Sequence, residues 1–63
     1  MVGKRGRVIG RIAPGIVGEV MLPVRGGTES FAALSDEPIA RYSRVVVVEA
    51  LSGRSVFVTP IQQ

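Results

Sequence analysis

The sequence contains no cysteine and no histidine. Without cysteine, disulfide bonds cannot compensate for a small core, as they do in many short domains. Cysteine and histidine are also the usual zinc ligands, so we predict no metal site and no cofactor. A chain of 63 residues lies near the lower size limit for independent folding and buries roughly 60% of its unfolded surface. We therefore expect one domain, residues 1–63, stabilised by apolar packing alone.

Aromatic residues and long apolar runs are also scarce. Aromatic side chains make up 5% of the sequence and hydrophobic ones 46%, so the core is predicted to consist of valine, isoleucine and leucine. No apolar run approaches the ~20 residues that span a bilayer. Residues 1–3 are too short and too polar to begin a signal peptide. The sequence therefore predicts a soluble module.

Basic residues outnumber acidic residues in the sequence. A net charge of +3 and a pI near 10.7 suit an anionic partner, either nucleic acid or a lipid surface. The alternative is that the charge serves solubility alone.

Residues 44–51, Arg-Val-Val-Val-Val-Glu-Ala-Leu, form the most informative stretch. Valine is stiff at its first side-chain torsion and packs well on a pleated surface, so this run predicts a central β-strand. The first apolar pair falls at Val45 and Val47, whereas the next falls at Val48 and Ala50. This slip in alternation predicts a β-bulge around Val47 and Val48.

Four further strands are predicted from alternation and turn residues. They cover residues 4–12, 16–24, 29–34 and 55–59. Pro14-Gly15, residues 25–28 and Ser52-Gly53 provide the turns. The side chains predicted to face the core on these four strands are Val8, Ile12, Val20, Leu22, Val24, Phe31, Ala33, Val56 and Val58.

The connection over residues 35–43 is irregular and has room for a helical turn at most. Ile39 is predicted to fill the end of the barrel. Asp36 and Glu37 resemble an acid and base pair, but adjacent loop residues seldom converge, so we interpret them as part of a solvated turn. Gln62 and Gln63 are predicted to fray.

Five short strands in an open sheet would leave exposed edges, and closure into a barrel removes them. The irregular link before the fourth strand favours the five-stranded Greek-key barrel called the OB-fold. An SH3-like barrel is the alternative, because strand number and size do not separate the two.

The order of these residues resembles the soluble C-terminal domain of the NfeD-like family. The similar segments span nearly the whole chain: Gly3 and Gly6, Gly18-Glu19-Val20, Phe31-Ala32-Ala33, Ile39, Val45-x-Val47-Val48 and Val56-Phe57-Val58-x-Pro60. One departure is Tyr42-Ser43, where the family commonly has a glycine in the turn before the fourth strand.

The resemblance implies an OB-fold module that forms the soluble C-terminal part of a larger membrane protein. It also implies stomatin or flotillin type partners, a place on the cytoplasmic face of the cell membrane, and a role in membrane protein quality control or microdomain assembly. Some longer relatives carry a serine protease domain of the ClpP class. We therefore interpret this chain as one domain of such a protein.

Catalysis is not expected, because the chain has no histidine and Lys4 is its one lysine. We predict a protein-interaction module with no small-molecule substrate. The candidate partner surface consists of the outward apolar residues Ile9, Met21, Val46 and Phe57. The candidate contacts with an anionic surface are Lys4, Arg5, Arg7 and Arg11.

Single-stranded nucleic acid is the alternative partner, because OB barrels often bind it with basic grooves and stacking rings. Arg5, Arg7, Arg11 and Arg25 would provide the charge. Phe31 is predicted to be in the core, which leaves Phe57 and Tyr42 as the rings for stacking. This alternative is therefore less favoured than protein interaction.

Overall fold

The computed structural model describes residues 1–61, and within this range it consists of strands, turns and loops without a helix. The strands are β1 (Arg5–Gly10), β2 (Gly18–Val24), β3 (Gly27–Leu34), β4 (Arg44–Ala50) and β5 (Ser55–Pro60). Each corresponds to a predicted strand, with shifted ends. Gln62 and Gln63, which were predicted to fray, lie outside the described residues.

The five strands close into a barrel in the order β1-β2-β3-β5-β4, with β4 returning to pair with β1. The β3–β5 pair is parallel and the other pairs are antiparallel. This Greek-key order is that of the OB-fold. The OB-fold prediction is therefore confirmed over the SH3-like alternative.

The barrel interior is aliphatic apart from one ring, Phe31. Val24 packs against the core while partly exposed; every other side chain predicted to face inward is buried. The buried set is Val8, Ile12, Val20, Leu22, Phe31, Ala33, Ile39, Val45, Val47, Val56 and Val58. Branched side chains on alternating positions thus fill the barrel as the sequence predicts.

The predicted bulge lies in β4, where the pairing with β5 shifts between Val47 and Glu49. Val47 pairs with the inward Val58, and Glu49 pairs with Phe57, so Val48 is the additional residue. Its side chain is 45% exposed. The fourth valine of the run is therefore a surface residue beside a buried one.

The connection over residues 35–43 contains no helical turn. Its middle is tied to the segment just after β1 by two hydrogen bonds: the Ile12 amide donates to the Ile39 carbonyl (3.1 Å) and the Ile39 amide to the Ile12 carbonyl (2.8 Å). Ile39 is buried in the core as predicted. Such a bridge satisfies the backbone of a segment too short to form a helix.

Gly6 has a packing role on β1. A Cβ at this position would lie 2.5 Å from Leu22 Cδ2 and closer still to the Met21 carbonyl oxygen. Glycine is thus required because β2 approaches β1 closely, one of the roles expected for a glycine within a strand.

Candidate interaction surface

The pairing of β1 with β4 places three arginines on one outer face of the barrel. Arg7 lies directly opposite Arg44, and Arg5 lies opposite Val46. Because alternate residues of a strand point to the same side, Arg5 and Arg7 share the face that Arg44 joins across the ladder. All three residues are exposed.

These arginines line a surface groove of about 340 Å³, which we call the arginine groove. The residues that line it are Arg5, Gly6, Arg7, Met21, Thr28, Arg44 and Ile61. The Ile61 amide donates a hydrogen bond to the Arg44 carbonyl (3.0 Å), which holds the end of the described chain beside β4. The groove is therefore basic along its β1–β4 side, and Met21, Thr28 and Ile61 line the rest.

The structure brings together two of the four predicted anionic contacts. Arg5 and Arg7 lie in the arginine groove, whereas Arg11 follows the end of β1 and lines a different groove. The Lys4 ammonium donates to the Pro23 carbonyl (3.0 Å). Sequence analysis missed Arg44, because its position opposite Arg7 depends on a pairing between strands distant in sequence, and no local pattern carries that signal.

A second groove, of about 520 Å³, lies over β2 and β3, the face with which OB barrels often bind single strands. It is lined by Gly10, Arg11, Val17, Gly18, Glu19, Ser30, Phe31, Ala32 and Arg54. The Arg54 guanidinium is already paired with the Glu29 carboxylate (3.1 Å). Phe31, the one ring in the lining, is 6% exposed, so this groove offers no open ring for stacking.

The four residues predicted as a partner surface lie on four strands: Ile9 on β1, Met21 on β2, Val46 on β4 and Phe57 on β5. Met21 is exposed, and the other three are half-buried. Met21 pairs with Arg7 and Val46 pairs with Arg5, so basic side chains separate these two apolar ones. Met21 and Val46 therefore do not form one continuous apolar patch.

More strongly exposed apolar side chains lie on the β1–β2 loop, directly before β2 begins at Gly18. Val48 and Leu51 are also exposed, but they lie at the C-terminal end of β4, which runs antiparallel to its neighbour β1. We define the loop end by its exposed apolar residues, Ile16 and Val17. Sequence analysis missed this pair because it predicted a strand from residue 16, whereas β2 begins at Gly18.

The β1–β2 loop is held in a tight turn. The Ile16 amide donates to the Ala13 carbonyl (2.8 Å), and the Ala13 amide donates to the Ile16 carbonyl (3.3 Å). Gly15 has a φ of +78°, which is the conformation that the predicted Pro14-Gly15 turn requires. Ile16 and Val17, 57% and 58% exposed, are therefore presented on an ordered backbone.

The predicted acidic pair and the exposed Tyr42 ring belong to the connection before β4. Asp36 and Glu37 are exposed, and the Glu37 amide donates to the Ser35 hydroxyl (3.3 Å), as in a solvated turn. The Arg41 guanidinium lies 5.3 Å from the centre of the exposed Tyr42 ring. Across residues 1–61, no three potential metal ligands gather at one point. The same residues include no helix of the length and hydropathy needed to cross a membrane.

The closed barrel and its surfaces define the class of protein: a small OB-fold domain with a basic groove and an apolar loop end. Residues 5–59 match the NfeD C-terminal domain. The chain therefore belongs to the NfeD C-terminal domain family, which confirms the resemblance seen in its sequence.

Solved structures similar to this chain include two related domains. The soluble domain of the NfeD protein YuaF from Bacillus subtilis is 32% identical, with a TM-score of 0.83, and the match covers 97% of this chain and 74% of that one. The C-terminal domain of stomatin operon partner protein 1510-C from Pyrococcus horikoshii is 29% identical, with a TM-score of 0.70, and the match covers 100% and 91%. A comparison with curated protein sequences finds no match.

Proposed function

We propose that this chain is a non-catalytic protein-interaction domain that works with a membrane protein of the stomatin or flotillin type. The observation that carries the proposal is the similarity, over the full length of this chain, to a domain named as that of a stomatin operon partner protein. Membership of the NfeD family supports the same context. The absence of histidine from the sequence supports a non-catalytic role, because histidine is the most frequent acid–base residue.

The loop end is the surface that we assign to the protein partner. Ile16 and Val17 are more than half exposed, and a cluster of exposed apolar side chains is a common feature of protein contact sites. Because the turn at Pro14-Gly15 is closed by two backbone hydrogen bonds, binding would order few additional residues. A preorganised loop loses less conformational entropy on binding than a mobile one.

In the cell, we place this domain on the cytoplasmic face of the membrane, where it would bring its partner into quality-control or microdomain assemblies. In relatives with a protease domain, the same contact would direct the protease to its membrane protein substrates. The domain itself supplies recognition and no chemistry.

The test is a binding titration of the domain with a purified stomatin-type membrane protein from the same organism in detergent micelles. The double variant Ile16→Ser/Val17→Ser is expected to weaken binding about tenfold or more, because truncating a central apolar contact commonly costs about 1–2 kcal/mol. The matched control is Met21→Ser/Val46→Ser, which removes apolar surface from the side of the barrel. Circular dichroism checks that both variants are folded.

Two results would contradict the proposal. If the unchanged domain shows no binding, the partner class is wrong. If the control variant loses affinity while the loop-end variant keeps it, the partner binds the side surface first predicted from Ile9, Met21, Val46 and Phe57.

A further inference from the structure

We propose that Arg5, Arg7 and Arg44 form a phosphate-binding groove that holds the domain against an anionic phospholipid surface. The proposal extends the proposed function by giving the barrel a defined orientation at the membrane, and it relies on that function for the membrane context. It concerns a surface separate from the loop end, so the two can be tested independently.

The first support is the placement of two like charges side by side. Arg7 and Arg44 are direct partners in the antiparallel β1–β4 ladder, an arrangement that disfavours pairing when both residues carry the same charge. Within residues 1–61, the single ion pair joins Arg54 to Glu29, away from this groove. A bound anion would remove the repulsion, because it offers both guanidinium groups a shared partner.

The second support is the spacing of the three side chains. Direct cross-strand neighbours have Cβ atoms about 5 Å apart and diagonal neighbours somewhat farther. Arg7 and Arg44 are direct neighbours, and Arg5 is diagonal to Arg44. Guanidinium groups at this spacing can converge on one phosphate, whose oxygens accept paired N–H bonds from the planar arginine fork.

The remaining lining favours a lipid headgroup over a nucleic acid. Met21, Thr28 and Ile61 complete the groove, and none of them has a ring on which a base could stack. Single-strand binders on OB barrels rely on such rings in addition to backbone charge. The apolar side chains of Met21 and Ile61 beside the arginines instead match a membrane surface, where phosphates lie next to glycerol and acyl carbons.

The expected contact between the arginine groove and an anionic bilayer is of modest strength, which suits a domain that is tethered to the membrane. Each basic residue near an anionic bilayer strengthens binding about fivefold, so three arginines give about 150-fold over a neutral bilayer. Alone, this contact would be weak and reversible. In a protein already attached to the membrane, the high effective concentration would make it sufficient to orient the barrel.

The test is sedimentation of the domain with vesicles of phosphatidylcholine alone or with about 30% phosphatidylglycerol, at about 0.1 M salt. We expect binding to the anionic vesicles only. The double variant Arg7→Gln/Arg44→Gln should reduce the partition coefficient about 30-fold. The matched control, Arg11→Gln/Arg54→Gln, removes the same charge from the second groove and should reduce it less than about threefold, since its arginines lie outside the arginine groove.

Three outcomes would overturn the proposal. Equal losses in the two double variants would show that net charge, and not this groove, drives binding. Absence of binding to anionic vesicles would exclude the lipid surface. Tighter binding of a labelled oligothymidylate than of vesicles at equal phosphate concentration, abolished by Arg7→Gln/Arg44→Gln, would assign the groove to nucleic acid instead.

The outcome is distinguishable from the proposed function. The arginine groove variant should retain its affinity for the stomatin-type protein in detergent, and the loop-end variant should retain its affinity for vesicles. If the unchanged domain binds the stomatin-type protein but does not bind anionic vesicles, the lipid contact is rejected and the protein contact remains.

Discussion

At the scale of single residues, Tyr42 adopts a backbone conformation that is normally found at glycine. Its φ is +72°, in the left-handed region, which is costly for a residue with a Cβ atom. Its amide donates a short hydrogen bond (2.7 Å) to the Val8 carbonyl, which holds the turn against β1. The sequence departs here from the family's common glycine, and Tyr42 adopts a backbone conformation that favours glycine.

We expect the free energy of unfolding of Tyr42→Gly to be about 1 kcal/mol higher than that of Tyr42→Ala. Alanine keeps the strain of the left-handed conformation, whereas glycine removes it. At most positions alanine is the more stabilising of the two, so the reversed order is diagnostic. Urea unfolding of both variants measures the difference. Greater stability of the alanine variant would show that the turn is not left-handed at residue 42.

At the scale of secondary structure elements, the bulge in β4 gives opposite environments to adjacent valines. Val47 is 1% exposed and Val48 is 45% exposed, although the sequence presents them as equivalents. Local alternation predicted that a bulge exists, but it could not say which valine is the additional residue. That depends on the partner strand, where Val58 pairs with Val47 and Phe57 pairs with Glu49.

The pair Val47→Thr and Val48→Thr tests this assignment with almost no change in volume. The hydroxyl at position 47 would be buried among aliphatic side chains, and an unpartnered polar group there costs about 1–3 kcal/mol. At position 48 the hydroxyl would face water, and the effect should stay within about 0.5 kcal/mol. Chemical unfolding compares the two; equal losses would place the bulge elsewhere in β4.

At the scale of the whole molecule, all five strands share one small core. A domain of this size has a stability of roughly 3–5 kcal/mol, and every buried aliphatic residue contributes to the same barrel interior. The loss of a single large side chain should therefore affect the entire fold and not one strand.

Leu22→Ala is the test of that statement. Leu22 is fully buried, and truncating a buried leucine costs about 2–5 kcal/mol, so most of the stability should disappear in one cooperative transition. Its chain neighbour Met21, which is 37% exposed, provides the control, and Met21→Ala should cost less than about 1 kcal/mol. Thermal unfolding followed by circular dichroism would contradict the expectation if both variants had similar midpoints.

Features that depend on local sequence could be predicted, and features that depend on the closed barrel could not. Strands, turns and inward residues such as Val20 and Ile39 were predictable because they depend on alternation and turn chemistry within short windows. The pairing of Arg7 with Arg44 was not predictable, because it exists only when the first and fourth strands lie side by side in the barrel. The exposed loop end was missed because alternation extended the second strand back to Ile16, whereas β2 begins at Gly18.

The parallel pairing of β5 with β3 has a consequence for biosynthesis. β5 is the last strand within residues 1–61, and it lies between β3 and β4. A nascent chain that has emerged from the ribosome only as far as the Ser52-Gly53 turn would leave valine-rich β4 without one of its two neighbours. Protection of β4 from aggregation would therefore begin only after the chain has emerged from the ribosome as far as Pro60.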